Sequence, residues 1–347
     1  MSHSNISIFI PHAGCPHACS FCSQNTISGA PHAPTTEEVR ETIFSAYGYI
    51  TDKTARAETE IAFFGGSFTA IPRDYMISLL EAANEFIGED GFKGVRISTR
   101  PDCINGEILD ILKKYHVTAI ELGAQSMCDR VLEMNERGHT ARDVEKSSAL
   151  IRAYGFELGL QMMTGLYGSY PEDDICTINR IAELSPDTVR IYPTAIIDGT
   201  KLGELFKSGE YVPYPFEKCV EICAYADKLF HSRSIRIIRM GLHAERSLEE
   251  KLLGGFYHPA FAEIVRSELF RQAFERFIDQ TDSSAEMTVS PCDRSAAAGH
   301  KKSNVIYFAD KNIGLIFKED KAVPRDHFFY RENKYCIYDE TGSVICT

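Results

Sequence analysis

Short apolar runs alternate with amphipathic segments through roughly the first 240 of 347 residues, and this alternation restricts the fold more than any other feature of the chain. Strand and helix in regular succession build repeated βα units, in which each helix returns the chain for another parallel strand. The strand-like runs are Ile6–Ile10, Glu60–Phe64, Val95–Thr99, Ala119–Gly123, Leu158–Met163, Thr188–Tyr192 and Ile235–Ile238. Apolar residues at three- and four-residue spacing predict helices from Thr35 to about Tyr49 and over Arg73–Ile87, Asn105–Tyr115, Ala141–Tyr154, Glu172–Leu184 and Pro215–His231. The first opens with an N-cap threonine followed by Glu37 and Glu38, carboxylates that suit the positive end of a helix dipole. Six or seven βα units result, the pattern of a barrel or part of one.

Beyond Gly241 the pattern changes. A helical region broken at Pro259 carries Phe261, Val265, Leu269, Ala273 and Phe277 on one stripe, which reads as core packing. Short strands are expected at Met287–Ser290, Asn304–Phe308, Gly314–Phe317 and Tyr335–Tyr338, with loops at Ser283–Glu286 and Ser295–Gly299. The expected division is a barrel over 1–244 and a small C-terminal α+β region over 245–347.

No stretch approaches the ~20 apolar residues of a membrane span, and Met1–Asn5 carry neither the charged start nor the cleavage site of a signal peptide. A cytoplasmic protein without a membrane partner is the expectation. Eleven cysteines, an odd number, then read as thiols and metal ligands rather than a disulfide framework. The net charge of −12 weighs against a surface wholly given to nucleic acid. His300-Lys301-Lys302 is the one concentrated basic spot, read either as solvated surface or as a contact for RNA phosphate.

Cys15, Cys19 and Cys22 stand directly after the first strand, at the carboxyl end where barrels place active sites. Gathered thiolates suit zinc, copper(I) or iron–sulfur clusters. A structural zinc site takes four ligands, and no second Cys-x-x-Cys occurs in the chain. Three ligands leave one metal position open for chemistry; a zinc site completed by His12 or His17 is the alternative. Cys219 and Cys223 lie on the apolar stripe of a helix and read as core thiols. Cys103, Cys128, Cys176, Cys292, Cys336 and Cys346 have no ligand-like spacing.

The spacing of the three cysteines, with Phe21 ahead of the last, resembles the signature of the radical S-adenosylmethionine (SAM) superfamily. That resemblance implies a partial (β/α)6 TIM-type barrel and a [4Fe–4S] cluster on Cys15, Cys19 and Cys22. It also implies SAM chelated to the open iron through its amino and carboxylate groups, Phe21 near the adenine, and a reductant such as flavodoxin or ferredoxin. Gly65-Gly66 after the second strand resembles the superfamily's motif for the SAM amine, with Ser67 in place of the usual acidic residue, so the backbone is the expected contact. Arg100 is a candidate for the SAM carboxylate or a structural ion pair with Asp102. Gln125 and Ser126 are candidates for ribose hydroxyls or for capping a turn, and Gln161 is a further polar group at a strand end.

Longer phrases extend the resemblance: Glu121-Leu-Gly-Ala-Gln-Ser126, Asn135-Glu-Arg-Gly-His-Thr140, Arg190-Ile-Tyr-Pro-Thr194 and Ile237-Ile-Arg-Met-Gly-Leu242. Together they resemble the radical SAM domain of the Elongator catalytic subunit and its bacterial relatives, over roughly Ile6 to His243. The resemblance implies modification of a tRNA wobble uridine. About a hundred residues of different character follow, too few for that family's acetyltransferase domain, so a shorter bacterial Elongator-like group is expected. Arg137, His139, Tyr192 and Thr194 are candidates for the substrate side and equally for scaffold, with His139-Thr140 placed to cap a helix. Two other readings stay open. Anaerobic coproporphyrinogen oxidases share the early motifs, and the acidic charge favours radical chemistry on a small metabolite or porphyrin-like substrate. A non-catalytic iron–sulfur or zinc protein, serving in assembly or redox sensing, is the third.

Overall fold

A computed structural model of the chain describes residues 4–10, 15, 19–23, 32–242 and 246–339. His12, His17 and Cys346 lie outside the described residues. Strands and helices follow in the order β1 (Ser4–Ile10), α1 (Thr36–Tyr49), α2 (Lys53–Glu58), β2 (Thr59–Gly65), α3 (Arg73–Asn84), β3 (Gly94–Thr99), α4 (Gly106–Lys114) and β4 (Val117–Gln125). Next come α5 (Asp129–Met134), α6 (Ala141–Ala153), β5 (Glu157–Thr164), α7 (Pro171–Leu184), β6 (Thr188–Pro193), β7 (Ala195–Ile197), α8 (Lys201–Ser208), α9 (Phe216–Ser232), β8 (Arg236–Met240), α10 (Arg246–Glu250) and β9 (Leu252–Gly255). β1 to β6 and β8 form one seven-stranded parallel sheet in that order, a half-barrel. Every strand of this sheet coincides with an apolar run of the sequence. The antiparallel pair β7 and β9 was not foreseen.

Local chemistry sets the helix starts. The Thr35 hydroxyl accepts from the Glu38 amide at 3.2 Å while the Glu38 carboxylate accepts from the Thr35 amide at 2.7 Å, and Thr140 and Asp143 repeat this reciprocal cap on α6. Strand side chains alternate between two faces. On one, Val95, Ile97, Ile120, Leu122, Leu158, Leu160, Val189 and Ile191 are buried. On the other stand charged residues: Arg96 bonds Glu60, Glu121 and Glu157 at 2.7, 3.3 and 2.6 Å, and Arg190 bonds Glu121 at 2.6 and 3.0 Å. Burying such charges is tolerable only when they are paired.

The described residues group into two compact units, 1–214 with 235–257, and 215–234 with 258–347. The division therefore differs from a single boundary at 244: α9 belongs with the C-terminal unit. It buries Cys219, Val220, Ile222, Cys223 and Phe230, and packs on α11 (Phe261–Phe277). Four of the five stripe residues of α11 are buried, Phe277 being the exception.

The rest of this unit comprises β10 (Ser284–Val289), α12 (Arg294–Ala298), α13 (Ser303–Asp310), β11 (Gly314–Glu319), β12 (His327–Tyr330) and β13 (Asn333–Cys336), with sheet order β11-β10-β12-β13. Three expectations are corrected here. Asn304–Phe308 is helical, because a continuous apolar run carries no period and because the Asn304 amide is held by the carbonyls of Ser267 and Ala297 at 2.9 and 3.1 Å. Most of Ser283–Glu286 is strand, and Ser295–Ala298 lies in α12.

Candidate functional site

The carboxyl ends of β2 to β5 converge on one cavity whose wall includes Cys15, Cys19 and Cys22. At the end of β2, Gly65 has φ +109, and a Cβ there would stand 3.0 Å from the Ile10 carbonyl oxygen. The Gly66 amide donates to that same oxygen at 2.9 Å. Glycine is thus required to close β1 onto β2, and it leaves backbone rather than side chain facing the cavity.

Ser67 lines the cavity, but its hydroxyl is engaged in the scaffold, lying 2.9 Å from Thr99 Oγ1 and accepting the Arg100 amide at 3.2 Å. Arg100 also lines it, with Nε and Nη2 donating to the two Asp102 carboxylate oxygens at 3.0 and 2.9 Å. The ion pair with Asp102 is therefore formed, and it fixes the guanidinium at the wall. Gln125, with φ +61, lines the cavity with a buried Oε1 that has no hydrogen-bond partner. The Gln161 amide donates to Glu121 Oε2 at 2.8 Å and Ser98 Oγ at 3.2 Å.

Two expected residues stand elsewhere. Ser126 is buried beside Thr177 Oγ1 at 3.2 Å and accepts the Cys128 amide at 3.1 Å, so it caps the turn after β4 and does not line the cavity. Phe21 packs on the apolar cluster of Ile196, Leu202 and Tyr211, with its ring 6.0 Å from the Arg137 guanidinium, and does not itself line the cavity. Among the candidate substrate-side residues, Thr194 donates to the Thr164 carbonyl at 2.7 Å and is scaffold, while Tyr192 lies on the charged face beside Arg190.

The phrase Asn135 to His139 braces the cysteine loop. Ser20 donates through its amide to the Asn135 carbonyl at 3.2 Å and through its hydroxyl to Asn135 Oδ1 at 2.7 Å. Asn135 in turn donates to the carbonyls of Val131 and Tyr167 at 2.8 and 2.9 Å. Arg137 Nη1 donates to Cys19 Sγ at 3.0 Å and Nη2 to the Gly123 carbonyl at 2.7 Å. Behind it His139 is buried, with Nε2 3.3 Å from the Ala124 carbonyl; burial and the Arg137 charge push its pKa down to about 4, so it is neutral at pH 7. Sequence reasoning left Arg137 open between the substrate side and the scaffold. No local period could show that residues this far apart in the chain meet.

Among the described residues, no three His, Cys, Asp or Glu side chains gather around one point as a single ion requires. A cluster makes no such demand, because each thiolate takes its own iron.

Comparison with known proteins gives the family. The radical SAM superfamily matches residues 9–179, and the Radical_SAM C-terminal domain matches residues 186–271. The chain belongs to the radical SAM superfamily. Members of this superfamily are enzymes. The chain is 31% identical over 253 residues to the tRNA uridine(34) acetyltransferase of Methanocaldococcus jannaschii, covering 62% of this chain and 47% of that protein. It is 32% identical over 187 residues to Elongator complex protein 3 of Saccharomyces cerevisiae, covering 48% and 34%. The chain spans about half the length of the archaeal and bacterial relatives it matches. The structure of archaeal Methanocaldococcus infernus Elp3 with an N-terminal deletion superposes with a TM-score of 0.62 at 22% identity, covering 79% of this chain and 64% of that one, and shows the same fold. No described helix is long and apolar enough to cross a membrane.

Proposed function

We propose that Cys15, Cys19 and Cys22 hold a [4Fe–4S] cluster, that SAM binds in the adjoining cavity, and that the substrate is a tRNA base. One observation carries the cofactor assignment: three thiols share a cavity with the Gly65-Gly66 backbone and with the unpartnered buried oxygen of Gln125. The donor set fits, because soft sulfur ligands without a carboxylate partner suit iron–sulfur rather than a hard cation. When bound, this pair supplies one-electron reductive cleavage of SAM to methionine and a 5′-deoxyadenosyl radical. The chain's own residues bind and orient. The Gly65-Gly66 backbone admits the amino group, Arg100, fixed by Asp102, takes the carboxylate, and Gln125 Oε1 accepts a ribose hydroxyl. Gln161, steadied by Glu121, borders the space beyond. Arg137 holds the Cys19 sulfur. A low-potential flavodoxin or ferredoxin in the cytoplasm is the electron donor in this reading.

The tRNA assignment is supported by relatives whose names specify tRNA uridine 34. The net charge of −12 favours a second reading, a small-molecule substrate. Anaerobic reconstitution, dithionite reduction and chromatography for 5′-deoxyadenosine, beside a Cys15→Ala, Cys19→Ala, Cys22→Ala triple variant, test the cofactor reading. Product from the wild type alone supports it, whereas a cluster that leaves SAM intact under every reductant overturns it. tRNA binding that weakens steeply with salt supports the first substrate, and its absence at low salt supports the second.

A further inference from the structure

The charged face of the half-barrel pairs its cations with carboxylates along most of its length and leaves one cation unpaired at its edge. Its carboxylates are Glu60, Glu121 and Glu157. Lys93 lies 3.2 Å from Glu60 and 3.8 Å from Glu157, Arg96 meets all three carboxylates, and Arg190 grips Glu121. Arg236 on β8 lies 3.8 Å from Glu157, so each of these four cations has a carboxylate partner. Arg239 on β8 has no carboxylate within ion-pair distance among the described residues, and its Nε donates only to the Gly241 carbonyl at 3.0 Å.

The side chain is half-buried, its neighbours on this face being the like charge of Arg190 and the phenol of Tyr192. Burial and Arg190 lower its hold on its proton, the opposite of what a paired guanidinium shows. A partly desolvated cation without a counter-ion costs stability, and such a cost persists where a ligand cancels it. Position gives the ligand's identity. Gly123, Gln161, Arg190 and Arg239 are paired in register across β4, β5, β6 and β8, and the first two line the cysteine cavity. Arg239 is two strand spacings from Gln161, about 10 Å, on the face that carries the paired charges.

We infer that Arg239 binds an oxyanion of the substrate, a phosphate or a carboxylate, and so fixes which end of the substrate lies next to the cavity. Its planar fork suits either group bidentately. Tyr192 offers a hydroxyl beside it. Arg239 is a substrate anchor only where the adjoining cavity holds SAM, so the anchor depends on the proposed function and needs a test that separates the two.

Calorimetric titration of the reconstituted protein with inorganic phosphate and, separately, with acetate provides that test. The wild type is expected to bind at least one probe, and whichever binds more tightly names the anion. Arg239→Gln is expected to weaken it at least tenfold and Arg239→Lys to weaken it less. Arg239→Met should melt higher than the wild type without the anion, because an unpaired charge is gone, and should lose the anion-dependent rise in Tm. Binding of neither probe by the wild type, or equal binding by Arg239→Gln, overturns the inference. Formation of 5′-deoxyadenosine by the same wild-type preparation is measured alongside. If it fails, the cofactor reading falls, whatever the two anions report.

Discussion

Arg137 reaches the Cys19 sulfur at 3.0 Å with one arm of its guanidinium and the Gly123 carbonyl at 2.7 Å with the other. A single side chain therefore ties the cysteine loop to the end of β4 and sets a positive charge against the Cys19 sulfur. Hydrogen bonds and charge at a cluster's sulfurs stabilise its reduced form.

Arg137→Gln should therefore shift the midpoint potential of the proposed cluster to more negative values. Iron retention should fall about 10- to 100-fold, the usual effect of losing a partner of a metal ligand. Arg137→Lys keeps the charge without the fork and should fall between. A redox titration followed by electron paramagnetic resonance, with iron and sulfide assays, reads both effects. A potential unchanged in Arg137→Gln would show that the guanidinium only shapes the loop.

His139 predicts a pH dependence of stability. Its pKa is about 4 in the folded chain against about 6.5 unfolded. The unfolded state binds the proton first, so stability is full above pH 6.5 and is lost as the pH falls toward 4, by about 2 kcal/mol at pH 5. Asp174 acts in the opposite sense, because burial raises its pKa to about 6 and the folded state gains stability as the pH falls from 6 toward 3.8. The two partly cancel in the wild type. On going from pH 7 to pH 5 in urea denaturation, His139→Gln should therefore change more favourably than the wild type by about 2 kcal/mol. Identical slopes would contradict the assignment.

Arg96 is fully buried between Glu60, Glu121 and Glu157. Arg96→Ala strips the buried carboxylates of the one cation they share and should cost about 3–5 kcal/mol. Chemical denaturation of the variant measures the loss. Arg73→Ala serves as the reference, since its pair with Glu107 is exposed and should change stability by less than about 1 kcal/mol.

Gly65 and Gly48 should respond to alanine with opposite signs. At Gly65 the φ of +109 and the Ile10 carbonyl 3.0 Å from the new Cβ should cost about 1–3 kcal/mol and narrow the cavity. At Gly48, within α1, nothing lies within 4 Å, and the gain in helix propensity should be up to about 1 kcal/mol. Thermal melts of the two variants decide.

The half-barrel was legible because strand-like apolar runs alternate with helical segments along the chain, and Val95-Arg96-Ile97 and Val189-Arg190-Ile191 each lie in a strand with two unlike faces. What the alternation conceals is partnership. Arg96 and Glu157 are 61 residues apart in sequence yet bonded at 2.6 Å, and nothing local in either residue announces the other. The cysteines, Gly65-Gly66 and Gln125 could be read from motif and position. Ser126 could not be separated from Gln125, because which of two adjacent polar residues faces a cavity depends on the αL turn at Gln125. The run from Asn304 to Phe308 lacked a period altogether, so helix and strand were indistinguishable until Asn304 found its buried carbonyls.

The clasp on Ser20 also has a temporal side. Its hydroxyl and amide are held by Asn135, 115 residues later, and its carbonyl by the Leu202 amide at 2.8 Å. A ribosome releases the three thiols long before it makes the groups that fix them. The cysteine segment therefore takes its folded shape only after Asn135 and Leu202, made long behind it, have joined the chain.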